Sequence, residues 1–149
     1  TGVQTCALPI YTMLRYPDLF ATGIANSPVT DWRLYDSIYT ERYMGLLAAN
    51  EKGYEGSSTL PLADKLRGHL LLIHSAMDEN VHAQNTFQLL TALTEAGKDA
   101  EFRFYPPGAH GAAFDRASYI TMNEVYVNQL CEHLAAACVP ADLNRGDPR

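Results

Sequence analysis

Apolar residues along the 149-residue chain fall into two kinds of pattern. At His69–Ser75 (HLLLIHS) they form an unbroken run, Leu70–Ile73, as a strand covered on both faces requires. Shorter runs at Ala21–Val29 and Ala100–Tyr105 predict two further strands, the first bounded by Pro28 and the second stopped by Pro106 and Pro107. Elsewhere the apolar spacing lengthens to that of a helix. Ala83–Ala96 predicts a helix with Phe87, Leu90 and Leu93 on its inner face and Gly97 at the C′ position. A last, long helix is predicted from Arg116 to Ala137, its buried stripe marked by Ile120, Val127, Cys131, Leu134 and Cys138. Tyr11–Tyr16 reads as a helix end stopped by Pro17, and Tyr35–Met44 as a short helix closed by Gly45. Asn50–Thr59 reads as a Gly/Ser-rich loop, and Leu60–Leu66 as a brief turn or helix.

Strand, helix, strand, helix, strand, helix with short connections predicts right-handed βαβ units and a parallel α/β sheet with flanking helices. A sheet of three strands whose first strand is an open edge is small for a whole domain. Composition narrows the class. The chain is 47% hydrophobic and 19% charged, with 17 acidic against 11 basic residues and a net charge of −6. That balance suits a folded domain rather than a disordered chain, and it disfavours nucleic acid or an anionic membrane as partner. No run approaches the ~18 apolar residues of a spanning helix. Cys6, Cys131 and Cys138 form no C-x-x-C pair and lie at no zinc-finger spacing with histidine, so no metal is expected there. Within one helix, Cys131 and Cys138 would stand about 10 Å apart along the axis, too far for a disulfide, and two buried thiols are expected. None of this fixes a compartment.

The ends read differently from the rest. Residues 1–10, TGVQTCALPI, are the translation of ACT GGA GTT CAG ACG TGT GCT CTT CCG ATC, a stretch of a common sequencing-adapter oligonucleotide. Native sequence is expected from Tyr11, and residues 140–149, with Pro140, Gly146 and Pro148, are expected to form a flexible tail.

In a parallel sheet, function gathers in the loops at the carboxyl ends of the strands. After HLLLIHS comes A-M-D-E-N-V-H, and after AEFRFY comes P-P-G-A-H-G. Asp78 at one strand end and His110 at the next are the acid and base of a Ser-His-Asp arrangement, in the order Asp then His. Asp78 could instead cap the following helix. A metal site from His74, Asp78, His82 and His110 is a further alternative, without a recognised spacing. No serine stands in G-x-S-x-G, so acid and base are found without a nucleophile. Trp32, Tyr35, Tyr39 and Tyr43 fall within twelve residues, the tyrosines at i+4 on one predicted helix face. Such a stripe packs on a sheet or walls an apolar pocket with hydroxyl rims.

The segments A-N-S-P-V-T-D-W, Y-D-S-I-Y-T-E-R-Y-M-G, L-L-L-I-H-S-A-M-D-E-N-V-H and the H-G of P-G-A-H-G resemble the catalytic domain of the prolyl oligopeptidase family, in its dipeptidyl-peptidase-IV-like branch. The likeness runs from Tyr11 to His133. It implies an α/β-hydrolase fold, here its C-terminal part over residues 11–139 with the N-terminal strands missing, and peptide cleavage through an acyl-enzyme. It implies Asp78 as triad acid and His110 as general base. Trp32, Tyr35, Tyr39, Val29 and Val81 would line the pocket for the residue before the scissile bond, commonly proline or alanine, and Asn80 would hold a substrate carbonyl. It further implies peptide substrates, no cofactor, a homodimeric whole protein, and an upstream β-propeller, absent here. The family's serine, in G-x-S-x-G-G-Y, would fall within about ten residues upstream of Tyr11. The chain by itself is therefore expected to be inactive. The sequence departs from the family's H-G-x-x-D at Ser75 and Met77, and Glu79 stands where a second Asp is common. Another α/β hydrolase such as an esterase, and a non-catalytic binding module, are the alternative readings.

Overall fold

The computed structural model describes residues 8–134. β2 (His69–Ser75) is the middle of a three-stranded parallel sheet, flanked by β1 (Thr22–Asn26) and β3 (Glu101–Tyr105) in the order β1-β2-β3. Thr22 pairs with His69 and Asn26 with Ile73, while Leu71 pairs with Glu101 and Ser75 with Tyr105. The carboxyl ends of all three strands therefore emerge side by side.

Alternation along β2 divides the core. Leu70 and Leu72 face one side, where α1 (Leu8–Arg15) supplies Ile10, Met13 and Leu14 and α4 (Gln84–Glu95) supplies Leu89 and Leu93. Leu71 and Ile73 face the other, against Ala112 and, from α5 (Arg116–His133), Met122, Val125 and Tyr126. The result is a sheet covered on both faces, as the unbroken run of β2 requires. Gly97, at φ 66°, closes α4 as its sequence predicts, with the Lys98 N–H reaching the Leu93 carbonyl at 2.8 Å.

Several expectations are corrected. The helix end read at Tyr11–Tyr16 is the latter part of α1, which begins at Leu8, and Ile10 is fully buried in the cluster against the sheet. Residues 1–7 and 135–149, with the predicted tail, lie outside the described residues. Glu51–Ser57, inside the predicted loop, is helix α3. Gly53 and Gly56 disfavour it locally, but Tyr54 is buried at its centre and its hydroxyl donates to the Gly45 carbonyl at 2.7 Å. Tyr35 precedes α2 (Ser37–Met44), because Asp36 caps that helix by accepting from the Tyr39 N–H.

The helix stripes are also rotated from the expected ones. On α4 the buried residues are Asn85, Thr86, Leu89 and Leu93, while Phe87 is 46% exposed against Phe102 and Phe104 of the edge strand. On α5 the buried positions are Ser118, Met122 and Gln129, and Leu134 is exposed. Polar tips explain the second case, since Gln129 and Tyr126 bury their stems while bonding Thr22 and Asn26 of β1. Cys131 is in a disulfide rather than a free thiol. Cys6 and Cys138 lie outside the described residues.

Candidate active site

Asp78 sits in the tight loop after β2, its side chain fully buried. One carboxylate oxygen accepts the backbone N–H groups of Val81 and Asn80 at 2.8 and 3.1 Å, which fixes the loop as an Asx turn. The other faces Nδ1 of His110 at 3.0 Å. Asp78 thus turns its own loop, whereas α4 begins at Gln84, with Ala83 at the N-cap and no side-chain cap. Burial alone would raise the Asp78 pKa; the hydrogen bonds from Val81, Ser27 and His110 outweigh it and hold the carboxyl below its ordinary value. Asp78 is therefore a carboxylate at neutral pH, and His110 presents an Nδ1–H to it. The imidazole is 36% exposed.

His74, last but one in β2, is buried beneath this pair. Its Nε2–H donates to the Val81 carbonyl at 2.8 Å, and its Nδ1 accepts from the Thr86 hydroxyl at 2.7 Å. Both ring nitrogens are thus used within the fold, which removes His74 from the metal alternative, and His82 accepts from the Gln84 N–H at 3.3 Å. No group of metal-ligating side chains is formed among the described residues. Burial, only partly opposed by the Val81 hydrogen bond, lowers the His74 pKa and keeps the ring neutral. The unfolded chain takes up that proton near pH ~6.5. Stability contributed by neutral His74 is therefore present above that pH and lost as pH falls through it. Asp78 acts in the same direction further down, below ~3.9. Urea midpoints should fall between pH 7.5 and 5, with a slope approaching ~1.4 kcal/mol per pH unit, the limit for one proton. His74→Gln should flatten that slope, and an equal slope in both proteins would refute the assignment.

The aromatic residues assemble beside the pair. Trp32, in a 3₁₀ turn over Trp32–Leu34, stacks on Tyr39 with ring centroids 5.9 Å apart, and Tyr35 meets both rings edge-on. Tyr43 continues the row against Tyr39 at 4.9 Å. The Tyr35 hydroxyl donates to Asn80 Oδ1 at 2.7 Å, which ties the aromatic group to the Asp78 loop. Tyr39 and Tyr43 stay exposed, so the rings form a wall open to solvent rather than a packed stripe. Val29 and Val81 are buried; Val81 takes part through its backbone, at Asp78 and His74. Each predicted site residue thus lies in a loop at the carboxyl ends of β1, β2 or β3 or at the start of α2.

Four further polar residues beside the site escaped the sequence. Asn85, fully buried on α4, accepts from the Thr30 N–H at 3.0 Å and donates to the Leu34 carbonyl at 3.4 Å, fastening both ends of the loop that carries Trp32. A polar residue on the inward face of a helix was the available signal. Asn26, Ser27 and Ser75 bond the backbone around His110, and only Ser75 stood out in the sequence, as a departure from the family's glycine.

Known proteins resemble this arrangement. Residues 8–130 match the model of the prolyl oligopeptidase family. Dipeptidyl-aminopeptidase B of Aspergillus niger is 42% identical over 130 residues, covering 83% of this chain and 14% of its own. Human dipeptidyl peptidase 8 is 42% identical over 106 residues, 69% of this chain and 12% of its own. Porphyromonas gingivalis dipeptidyl peptidase 4 superposes with a TM-score of 0.78 at 36% identity, covering 84% of this chain and 18% of that one. The chain thus spans about a seventh of the length of these curated relatives.

Proposed function

Since the chain belongs to the prolyl oligopeptidase family, we propose that it carries the acid–base and substrate-pocket part of a serine peptidase that cleaves after proline or alanine, in the manner of a dipeptidyl peptidase. The observation that carries this reading is the buried Asp78 carboxylate 3.0 Å from Nδ1 of a half-open His110, with an aromatic wall tied to the same loop through Asn80. A carboxylate on Nδ1 fixes the tautomer whose Nε2 lone pair can take a proton from a serine hydroxyl and return it to the leaving amine. The flat faces of Trp32, Tyr35 and Tyr39 offer the apolar, rigid surface that a proline ring fills at small entropic cost. Asn80, held by Tyr35, would steady a backbone carbonyl of the peptide. No serine of the chain stands in G-x-S-x-G, so this reading assigns the nucleophile to such a segment outside the given sequence.

The test joins this sequence to an upstream half carrying that segment and assays an Ala-Pro chromogenic peptide beside a p-nitrophenyl ester. Preference for the peptide by at least about tenfold, a difference of ~1.4 kcal/mol in transition-state binding, supports the reading. Ester preference would favour a general hydrolase, and binding without turnover a non-catalytic module. The 149-residue chain alone should neither turn over the peptide nor be labelled by a fluorophosphonate probe.

A further inference from the structure

Three side chains at the strand ends converge on the loop that carries His110. Ser75, at the end of β2, donates its hydroxyl to the Ala109 carbonyl at 2.6 Å. Asn26, at the end of β1, donates through Nδ2 to the Gly111 carbonyl at 2.9 Å and to the Tyr126 hydroxyl at 2.8 Å. Ser27, the next residue, accepts the Gly111 N–H at 3.3 Å and lies hydroxyl-to-carbonyl with Asn26 Oδ1 at 3.3 Å. The peptide groups on both sides of His110 are therefore held by side chains 34 to 85 residues away in sequence.

The loop needs such restraint. Gly111 and Ala112 take φ of 90° and 69° in succession, and the second is a conformation that a side chain disfavours. Ser27 is itself at φ 48°. Gly108 packs so closely on the Ala112 backbone that a Cβ there would collide with its carbonyl. Ser27, Ser75 and Ala112 are all fully buried, so these bonds form away from competing water. Ser75 is the position where the sequence departs from the family's glycine, and its added hydroxyl supplies one of the three contacts.

We propose that Asn26, Ser27 and Ser75 are positioning residues: a three-point clamp on the Ala109–Gly111 backbone that sets the direction of the His110 ring toward Asp78. The clamp rests on His110 being the base of the proposed reaction, but its test does not need turnover. In the 149-residue chain labelled with ¹⁵N-histidine, solvent exchange of the His110 Nδ1 proton is followed by NMR, with the His74 ring as internal reference. Ser75→Ala removes a single oxygen and should speed His110 exchange roughly tenfold, as loss of one net hydrogen bond does to a local opening equilibrium. Asn26→Ala should do at least as much, and Ser75→Thr, which keeps the hydroxyl, should restore the slow rate. His74 exchange should not change in any of them. Unaltered His110 exchange in a folded Ser75→Ala variant overturns the clamp, and so does a parallel change at His74, which would mark general loosening. Failure of peptide cleavage in the joined protein, with the exchange result intact, would overturn only the peptidase reading.

Discussion

Asp78→Asn, in a protein that joins this sequence to its nucleophile segment, should lower kcat by about 10,000-fold while leaving KM within about threefold. Asparagine has the same shape, and its carbonyl oxygen can still accept the Val81 and Asn80 N–H groups that turn the loop. What changes is the atom facing His110. An amide N–H there demands that Nδ1 accept, which moves the ring proton to Nε2 and removes the lone pair that must abstract the serine proton. The loss therefore appears in the chemical step, because nothing in the aromatic wall is altered. Asp78→Ala separates the two duties of the residue. It strands the buried Val81 N–H and the half-buried Asn80 N–H as well as the imidazole, so it should also destabilise the fold, by about 2 kcal/mol. Activity of Asp78→Asn within tenfold of the parent would exclude Asp78 as the group that orients the base.

The largest effect on stability is expected at Leu72→Ala. Leu72 is wholly buried at the centre of β2, packed in the cluster that holds α1 and α4 to the sheet. Truncating its isobutyl group to a methyl should cost about 3–5 kcal/mol, depending on how far Leu14, Leu89 and Leu93 can close the cavity. Against a total of roughly 5–15 kcal/mol for a domain, that is enough to leave much of the chain unfolded at 37 °C. Leu71→Ala offers the matching experiment on the opposite face, where the cluster contains Ile73, Ala112 and Met122. It should cost less, about 2–3 kcal/mol, because the half-open residues of α5 can settle inward. Hydrogen exchange should locate the difference. Leu72→Ala should expose amides of α1 and α4, and Leu71→Ala those of α5; loss of protection in the same helices for both would contradict a core divided by the sheet.

Sequence and structure agree best where one physical signal dominates. β2 runs from His69 to Ser75 as predicted, because only a doubly covered strand tolerates such an apolar run. Asp78 and His110 were legible for a related reason: loaded loops after adjacent parallel strands must meet in space. The aromatic wall was legible as a set of residues and mistaken in its local form, since Asp36 starts α2 after Tyr35. α3 was hidden because its two glycines argue against a helix that the buried Tyr54 secures from outside. The rotated face of α5 was hidden because Gln129 and Tyr126 look solvent-facing until Thr22 and Asn26 are placed opposite them. Asn26 and Ser27 carried no mark of their contacts, and Ser75 stood out only as a departure from the family's glycine. Their partners are backbone atoms, which every residue possesses, so only the folded approach of β1 to the His110 loop reveals them.

The pairing of β2 with β3 has a consequence of scale. Ser75 opposite Tyr105 fixes where each strand hands its chain over to a loop. A slip of β3 by two residues, the smallest that keeps its side chains on their own faces, would carry the His110 loop about 6.6 Å along the sheet. That is more than twice the 3.0 Å between His110 and Asp78, yet most of the backbone ladder could re-form. The ladder is therefore nearly indifferent to an error that would part His110 from Asp78 and disable the proposed proton transfer. Selection for the reaction would police strand alignment more strictly than selection for a folded sheet, and mutations that loosen register should be purged as catalytic defects long before they register as folding defects.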